Sequence, residues 1–495
     1  MSHRPFCTAK YNFLKALSRA PQLALILILC CLRLVEPACL AQTPAASDYQ
    51  DDQILIKPKP GTGLTALANF HSARKGEVLK TFPRIGNLQI IRVPKGETVQ
   101  TFLSQYEQSG LVEFAEPDYF GQVFTTPNDP RFVDHTLWGL DKIAAPGGWD
   151  VLTSASNIVV AVIDTGVRYT HEDLAANMWV NPNDGSHGLN VVAGTTDPND
   201  DNGHGTMVAG VLGAVGNNGK GVVGVAWRTQ IMACKCFNNF AIGSISAVIT
   251  GMDYARTNGA RIINASWGFT NSLSLSNAVY SLRDSNIIVV AACGNSSINI
   301  DLSPTFPAGY DFDNIVSVAS TTNNDTLSAF SNYGPTRVHL AAPGDNIYST
   351  WSPTDSFYQT GSGTSFAAPY VVGTLALMLT KYPAETYQQI IARLLNATDP
   401  LPGLAGKCVT GGRLNLRNAL NPPIKLTAFP ATNGMPFQLR LSSGASRTCV
   451  IQVSTNLLGW TPIFTNTTSA AGLFYFADTA STNSVQRFYR ATSTL

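Results

Sequence analysis

The chain has 495 residues, a formal net charge of +1 at pH 7 and 13% charged residues. This length is sufficient for about three domains. The hydrophobic content of 44% is ordinary for globular domains with a sizeable core. The near-neutral charge and the lack of a basic stretch argue against nucleic-acid binding, and no long acidic run suggests a disordered tail.

The first 41 residues have the pattern of a secretory signal peptide. Basic residues precede an apolar run from Leu23 to Leu32, and Cys39-Leu40-Ala41 offers small residues at the two positions that a signal peptidase reads. The run is too short for a comfortable transmembrane span, although an uncleaved anchor is the alternative. We predict that residues 1–41 are removed, and that the protein is then secreted without membrane association.

Five of the nine cysteines follow this segment, namely Cys234, Cys236, Cys293, Cys408 and Cys449. An odd number cannot pair fully within one chain. Cys234 and Cys236 lie two apart on a predicted strand, so they point to the same face and do not readily bridge each other. A disulfide that involves Cys408 is possible, and the sequence does not choose its partner. No Cys/His spacing suggests zinc.

Residues from about Asp52 to Gly121 are predicted to form a small α/β unit. Apolar runs predict strands, and apolar residues at helical spacing predict helices. The strands are Ile54–Ile56, Leu88–Val93 and a short strand before Phe114–Asp118, and the helices are Gly63–Arg74 and Val99–Ser109. An unrelated α/β module would show the same pattern.

Strands and helices alternate from Trp138 to about Asn421. Continuous apolar strands separated by helices predict a parallel sheet buried on both faces, with active residues at the carboxyl ends of the strands. The strands are Ile158–Ile163, Thr229–Ala233, Arg261–Asn264, Ile287–Ala292 and Ile315–Ala319, and the helices include Thr206–Val215 and Ile245–Thr257.

A change in composition follows Asn421-Pro422-Pro423, because the remaining chain is rich in Thr, Ser and Asn. Short alternating runs predict an all-β domain over residues 424–495. These runs are Phe437–Leu441, Cys449–Val453 and Phe474–Phe476. The segments Val453–Leu457, Trp460–Pro462 and Arg487–Arg490 resemble a small β-sandwich module that is appended to many secreted bacterial proteins.

Three short segments each carry one member of an Asp/His/Ser set. They are Val162-Ile163-Asp164-Thr165-Gly166, Asn202-Gly203-His204-Gly205-Thr206 and Gly363-Thr364-Ser365-Phe366-Ala367-Ala368-Pro369. A serine hydroxyl is a weak nucleophile until a base removes its proton. Unrelated folds reach this triad through different chain orders. The order and the flanking residues here resemble the subtilisin superfamily of serine proteases (peptidase family S8), including its thermitase-like members.

This resemblance implies both fold and activity. The expected fold is α/β, a subtilisin-like central parallel sheet with helices on both faces, preceded by a small α/β propeptide and followed by a small all-β domain. The expected activity is that of a secreted serine endopeptidase, which hydrolyses peptide bonds through an acyl-enzyme and needs no catalytic cofactor.

The resemblance also assigns roles to four residues. Ser365 is the expected nucleophile, at a helix N-terminus where backbone N–H groups favour negative charge. His204 is the expected general base, and Asp164 would fix its tautomer and stabilise the imidazolium. Asn295 would donate to the oxyanion. Pro369 is expected in the first turn of the Ser365 helix, where proline is tolerated.

Substrate binding is expected along one segment and one pocket. Ser266, Trp267 and Gly268 match the family segment that pairs with the substrate as a strand and walls the primary pocket. Trp267 would help to form the pocket for the fourth residue before the cut. Thr305 is expected near the floor of the primary pocket, which it would make shallower than a glycine would.

A structural calcium ion is an expected cofactor, because Asp129, Asp173 and the loop 216–221 match the strong calcium site of the family. Calcium prefers oxygen ligands from carboxylates, carbonyls and amides. Asp173 would be the carboxylate anchor, Asn218 the side-chain amide, and Asp129 the tie to the mature N-terminus. The alternative is three ordinary surface turns.

The resemblance divides the chain into a signal peptide (1–41), a propeptide (42–124), a catalytic domain (125–421) and a C-terminal β domain (424–495). The propeptide is expected to inhibit the enzyme until autocatalytic cleavage between Phe124 and Thr125. The expected partners are protein or peptide substrates and the propeptide itself, with no nucleic acid. We expect the mature enzyme to be a monomer.

The sequence alone leaves other functions open. A non-enzymatic surface or binding protein could use the same scaffold, although the complete set Asp164, His204, Ser365 and Asn295 counts against it. An enzyme that processes only itself or one partner would have the same sequence pattern. A lipase or esterase is disfavoured, because such enzymes normally show G-x-S-x-G around the nucleophile, and the context here is Gly363-Thr364-Ser365-Phe366-Ala367.

Overall fold

The computed structural model describes residues 49–120, 125–429, 437–444, 447–457, 459–469, 472–481 and 486–493. The described residues up to Phe120 form one compact unit, and those from Thr125 onward form a second. The predicted signal peptide and Phe124, on one side of the predicted cut, lie outside the described residues. None of the described helices is both long enough and apolar enough to span a membrane.

The first unit is a four-stranded antiparallel sheet with two helices. Its elements are β1 (Tyr49–Pro58), α1 (Leu64–Ala73), β2 (Glu77–Phe82), β3 (Leu88–Arg92), α2 (Val99–Gln108) and β4 (Val112–Tyr119). The strand order is β2-β3-β1-β4. Ile54, Ile56 and Ile91 of the sheet share one core with Phe102 and Tyr106 of α2. The predicted small α/β unit is therefore present.

Two local predictions in this unit are wrong. Strand β2 was missed because it lies at the sheet edge and none of its residues is buried, so it lacks a buried apolar run. Phe114–Asp118 lies inside β4 and does not follow a strand, because β4 pairs with β1 along most of its length.

The second unit is built on a nine-stranded sheet that is parallel apart from one antiparallel pair at its end. The strands are β5 (Ser154–Asp164), β6 (Gly188–Asn190), β7 (Arg228–Lys235), β8 (Ile262–Ala265), β9 (Ile288–Ala292), β10 (Ile315–Thr321), β11 (Leu340–Pro343), β14 (Asp399–Pro400) and β15 (Gly412–Arg413). Their order is β14-β15-β11-β10-β9-β8-β5-β7-β6. The hairpin β12 (Ile347–Trp351) and β13 (Phe357–Gly361) lies apart from this sheet.

Helices cover both faces of the sheet, as predicted. The longer helices are α6 (His204–Gly213), α7 (Ile245–Thr257), α8 (Leu273–Asp284), α9 (Thr364–Lys381) and α10 (Tyr387–Asn396). The short ones are α3 (Pro130–Val133), α4 (Trp138–Lys142), α5 (Ala145–Trp149) and α11 (Leu416–Leu420). Alternate residues of β5 enter opposite cores. Val160 and Val162 join the core that contains α6 and α9, whereas Ala161 and Ile163 join the core that contains α7 and α8.

The placement of Pro369 corrects a prediction. Pro369 is the sixth residue of α9 and lies inside the helix, beyond its first turn. A proline has no N–H to donate to the carbonyl four residues earlier, which here belongs to Ser365. The Ser266 hydroxyl donates to that carbonyl at 2.8 Å. A contact from 99 residues away in sequence thus supplies the missing hydrogen bond.

From residue 425 onward, the described residues form six antiparallel strands, β16 (Lys425–Phe429), β17 (Phe437–Ser442), β18 (Thr448–Ser454), β19 (Thr461–Thr467), β20 (Leu473–Asp478) and β21 (Phe488–Ser493). They form two sheets with the orders β16-β17-β20 and β19-β18-β21. Leu439, Leu441 and Phe474 of one sheet share a core with Cys449 and Ile451 of the other. This is a small β-sandwich.

All five cysteines among the described residues are buried and unpaired. The possible disulfide of Cys408 is therefore not formed. Burial raises the pKa of the Cys234 and Cys293 thiols to about 12, so these side chains act as small apolar groups of the core.

Candidate active site

The predicted triad and oxyanion residues come from neighbouring strands and from the starts of two helices. Asp164 is the last residue of β5, and Asn295 lies three residues after the end of β9. His204 is the first residue of α6, and Ser365 is the second residue of α9. The strands β5, β8 and β9 are neighbours in the sheet and parallel, so their carboxyl ends meet at one edge.

A short hydrogen bond joins Asp164 to His204. The Nδ1 atom of His204 lies 2.7 Å from Oδ1 of Asp164, which also accepts the N–H of Thr165 at 2.7 Å. Asp164 is 2% exposed. A carboxylate can only accept, so Nδ1 carries the proton and Nε2 is left as the acceptor of the neutral ring.

The electrostatics at His204 favour its charged form. Burial acts to lower the pKa of His204, but the negative charge of Asp164 and its hydrogen bond outweigh burial, and the charge of Asp200 adds to them. The pKa of His204 is therefore raised above its ordinary value of 6.5. Such a group is neutral, and able to take up a proton, only above that raised pKa.

The loop before α6 fixes the position of His204. Oδ1 of Asp200 accepts the N–H groups of Asn202 and Gly203, and Oδ2 accepts the N–H and the hydroxyl of Thr206. Gly203 has a φ of +112°, and a Cβ at this position would lie 2.2 Å from the indole of Trp351. Both backbone conformation and close approach therefore require glycine immediately before His204.

The hydroxyl of Ser365 donates to the main-chain carbonyl of Ser266 at 3.0 Å. Within the described part of the chain, no hydrogen bond joins Ser365 to His204. The ring of Phe366, the next residue, lies 5.4 Å from the His204 ring, so the helix start is beside the imidazole. Rotation of Ser365 about its Cα–Cβ bond moves the hydroxyl among three staggered positions, and hydrogen bonds in sites without substrate are often not yet formed.

Thr364 orients the amide of Asn295. Both the N–H and the hydroxyl of Thr364 lie 2.9 Å from Oδ1 of Asn295, and the N–H of Gly294 donates to the same hydroxyl at 3.1 Å. An N–H cannot accept, so the atom facing it must be the amide oxygen. Nδ2 of Asn295, an exposed residue, is left as a donor with no hydrogen-bond partner among the described residues.

The predicted substrate segment follows β8. Ser266 is buried, and its hydroxyl accepts from the side chain of Asn264 and donates to the Ser365 carbonyl. Trp267 donates from Nε1 to the carbonyl of Ile163 at 2.8 Å and packs against Phe237 and Phe269. Ser266 can thus offer only its main chain to a ligand, whereas Trp267 contributes to an aromatic cluster.

Thr305 lies opposite two glycines. A Cβ on Gly268 would be 2.5 Å from the Thr305 hydroxyl oxygen, and a Cβ on Gly294 would be 3.6 Å from its methyl group. Phe306, the next residue, forms an antiparallel bridge with Phe269. Thr305 therefore stands between the segment after β8 and the segment that carries Asn295.

The three predicted calcium-binding residues also lie together. Asp129 accepts the N–H of Asn217 at 2.7 Å, and Asp173 accepts from the Asn218 side chain at 2.9 Å. Both carboxylates are fully buried. Burial raises the pKa of Asp129, hydrogen bonds from Asn217 and Asn218 lower it, and the charge of Asp173 raises it, leaving it above its ordinary value. No group of three or more His, Cys, Asp or Glu in the described ranges could by itself hold a metal ion.

The sequence did not assign the roles of two residues that support the candidate active site, Asp200 and Thr364. Asp200 lies four residues before His204, and its signal was an acidic residue just ahead of a helix, which is a typical capping position. Thr364 carried no such signal, because its contact with Asn295 joins segments 69 residues apart.

Comparison with known proteins gives two family matches. Residues 155–422, more than half of the chain, match Peptidase S8, the subtilase family. Residues 36–118 match the fervidolysin N-terminal prodomain.

Individual relatives agree with these matches. The chain is 38% identical over 296 residues to thermitase of Thermoactinomyces vulgaris, covering 60% of this chain and 99% of thermitase. It is 35% identical over 330 residues to the thermophilic serine proteinase of Bacillus sp. strain AK1, covering 66% and 77%. A protease structure from Pseudoalteromonas arctica PAMC 21717 aligns with a TM-score of 0.52 and 29% identity, covering 60% and 99%. The chain therefore belongs to the subtilase family of serine proteases and carries a subtilase prodomain.

Proposed function

We propose that, in this subtilase serine endopeptidase, Ser365 is the nucleophile, His204 oriented by Asp164 is the general base, and Asn295 is an oxyanion donor. The observation that carries the proposal is the 2.7 Å contact between His204 and Asp164. It places the proton on Nδ1 and leaves Nε2 to accept the proton of a serine hydroxyl. Family membership favours this enzyme over the non-enzymatic binding protein.

The chemistry follows the arrangement of these groups. The Ser365 hydroxyl leaves the Ser266 carbonyl, His204 takes its proton, and Oγ attacks the carbonyl carbon of the scissile bond. The negative oxygen of the tetrahedral intermediate accepts from Nδ2 of Asn295 and from the N–H of Ser365 at the helix start. His204 then protonates the leaving amine, and water releases the acyl group from Ser365 by the same steps.

The proposal extends to activation and location. We infer that residues 1–41 are a secretory signal and that residues 42–124 are an inhibitory propeptide, which the enzyme removes between Phe124 and Thr125. The mature protein then comprises the catalytic domain 125–421 and the β domain 424–495, acts as a secreted monomer, and takes protein or peptide substrates. The match of residues 36–118 to a subtilase prodomain supports the propeptide.

Replacing Ser365 tests the assignment of the nucleophile. We express residues 42–495 as wild type, Ser365→Ala and Ser362→Ala, and follow mass and N-terminal sequence with time. Wild type and the matched control Ser362→Ala should cut near Thr125, whereas Ser365→Ala should stay intact, because removal of a nucleophile costs about 10⁴–10⁶ in rate. Cleavage of purified Ser365→Ala at the wild-type rate would contradict the proposal.

The raised pKa of His204 predicts the pH dependence of activity. His204 must be neutral to act as a base, so kcat/KM should fall as the pH drops through a value above the ordinary 6.5. We measure kcat/KM for a chromogenic peptide from pH 5 to 9 at low salt. Asp164→Asn should reduce kcat by about 10⁴ and move the acid limb to lower pH. An acid limb at or below 6.5 in the wild type would contradict this account.

We also propose that Thr305 limits the depth of the pocket for the residue before the cut. Thr305→Gly should raise kcat/KM for a substrate with Phe at that position relative to one with Ala, by about 10-fold. Ser303→Gly, on the same loop but exposed, is the matched control and should leave the ratio unchanged. An unchanged ratio in Thr305→Gly would remove this residue from the pocket.

A structural calcium ion is proposed between Asp129, Asp173 and the oxygen atoms of the loop 216–221. The donors fit a hard cation, and burial and the charge of Asp173 raise the pKa of Asp129, an effect that a divalent cation would offset. The ion would supply no chemistry to catalysis. It would tie the segment after the proposed cut to the catalytic domain.

Thermal unfolding of the processed enzyme, inactivated with a sulfonyl fluoride to prevent autolysis, tests this site. Millimolar calcium should raise the midpoint of the wild type by about 5–15 °C over EDTA, with little effect on Asp173→Asn. The exposed control Asp253→Asn should respond like the wild type. Equal responses of Asp173→Asn and the wild type would place the ion elsewhere.

A further inference from the structure

Lys235 is a buried cation beside the candidate active site that the proposed chemistry does not use. It is the last residue of β7, and it is the partner of Asp164 in the register of β5 and β7. Only 3% of the residue is exposed. Lysine is almost never buried unless its ammonium is paired, so the hydrogen-bond partners of Lys235 account for its burial.

The ammonium of Lys235 joins two segments. Nζ donates to the main-chain carbonyl of Thr165 and to Oδ1 of Asp201, both at 2.6 Å. Thr165 directly follows Asp164, and Asp201 lies in the loop that leads to His204. The Asp201 side chain is 56% exposed, so the pair forms where the interior meets solvent.

Thr165 transmits this contact to both members of the Asp164–His204 pair. Its N–H donates to Oδ1 of Asp164 at 2.7 Å, and its hydroxyl accepts the N–H of Gly205, next to His204, at 3.0 Å. The carbonyl of the same residue is the one held by Lys235. Lys235 therefore holds the carbonyl of the residue whose N–H orients the carboxylate and whose hydroxyl contacts the start of α6.

We propose that Lys235, with Asp201 as its counter-charge, is a positioning residue that holds Asp164 and His204 at hydrogen-bond distance. Lys235 touches neither the substrate nor the reacting atoms, and this inference rests on the proposed function. The sequence carried a signal that was not used, because Lys235 is the one charged residue in the otherwise apolar run Ile231–Cys236.

The variant that tests this role must keep the net charge around His204 unchanged, because nearby charges alter the pKa of His204. Asp164 and Asp200 both act on its pKa, and the Lys235–Asp201 pair adds no net charge. The double variant Lys235→Met/Asp201→Asn therefore keeps the local net charge. A movement of the acid limb in this variant reports a change in the contact between His204 and Asp164, which a purely structural role of the pair would not produce.

We measure kcat, KM and the acid limb of kcat/KM on processed enzyme, with the concentration set by active-site titration so that only folded sites count. The double variant should lose about 10–100-fold in kcat, the effect of a misplaced catalytic group, with KM within about two-fold. Its acid limb should move to lower pH, because Asp164 stabilises the imidazolium less well. Wild-type kcat and an unmoved acid limb would overturn the inference.

A buried ion pair elsewhere in the molecule gives the matched control. Arg393 pairs with Glu385, and both side chains are largely buried. Arg393 also lies 3.9 Å over the ring of Tyr382, just past the end of α9 opposite Ser365. Arg393→Met/Glu385→Gln should lower the thermal midpoint but leave kcat and the acid limb unchanged. A similar loss of kcat in this control would show that any lost ion pair lowers activity, and would overturn the inference.

Two further variants keep the test decisive. If the double variant does not yield processed enzyme, Asp201→Asn alone is measured instead. An amide oxygen is a weaker acceptor for the Lys235 ammonium than a carboxylate, so kcat should fall by about 3–10-fold. An unchanged kcat would overturn the inference. Lys235→Arg, which keeps the charge and the donors, should retain more activity than Lys235→Met. Proteolytic activity in Ser365→Ala would instead contradict the proposed function itself. Failure of this inference and failure of the proposed function are therefore distinguishable.

Discussion

The hydrogen bond between Asp164 and His204 is the contact on which the site depends. It joins the end of a strand that is buried on both faces to the first residue of a helix, and so its length is set by the packing of the sheet against α6. The carboxylate fixes the tautomer of the imidazole and raises its pKa. In the proposed mechanism, this tautomer leaves Nε2 as the ring nitrogen that accepts the proton of Ser365.

Much of the fold could be predicted because its signals are local. The strands of the central sheet are buried on both faces, so they appear as continuous apolar runs, and α7 has the predicted bounds Ile245–Thr257 because the Ser244 side chain caps its first turn. Strand β2 was missed because an edge strand lacks such a run. Pro369 was placed wrongly because its missing hydrogen bond is replaced by Ser266, which no local pattern indicates.

The residues of the candidate site also divide into those with local sequence signals and those whose contacts no local pattern indicates. The residues that perform the proposed chemistry lie in short segments with distinctive neighbours, so a family resemblance could assign them. Asp200 holds the start of α6 through contacts within six residues of chain. The other two supporting residues act across the fold, Thr364 on Asn295 and Lys235 on Thr165. Such contacts depend on the packing of distant segments, and sequence alone could not supply them.

Covalent labelling of the nucleophile tests the central claim most directly. Processed enzyme is treated with a fluorophosphonate, which reacts only with a serine activated by a neighbouring base, and the modified peptide is identified by mass spectrometry. The account predicts a single label on Ser365 that is lost in His204→Ala, from which a second protease has removed the propeptide before labelling, because the base has been removed. A label on another residue, or undiminished labelling of Ser365 in His204→Ala, would contradict it.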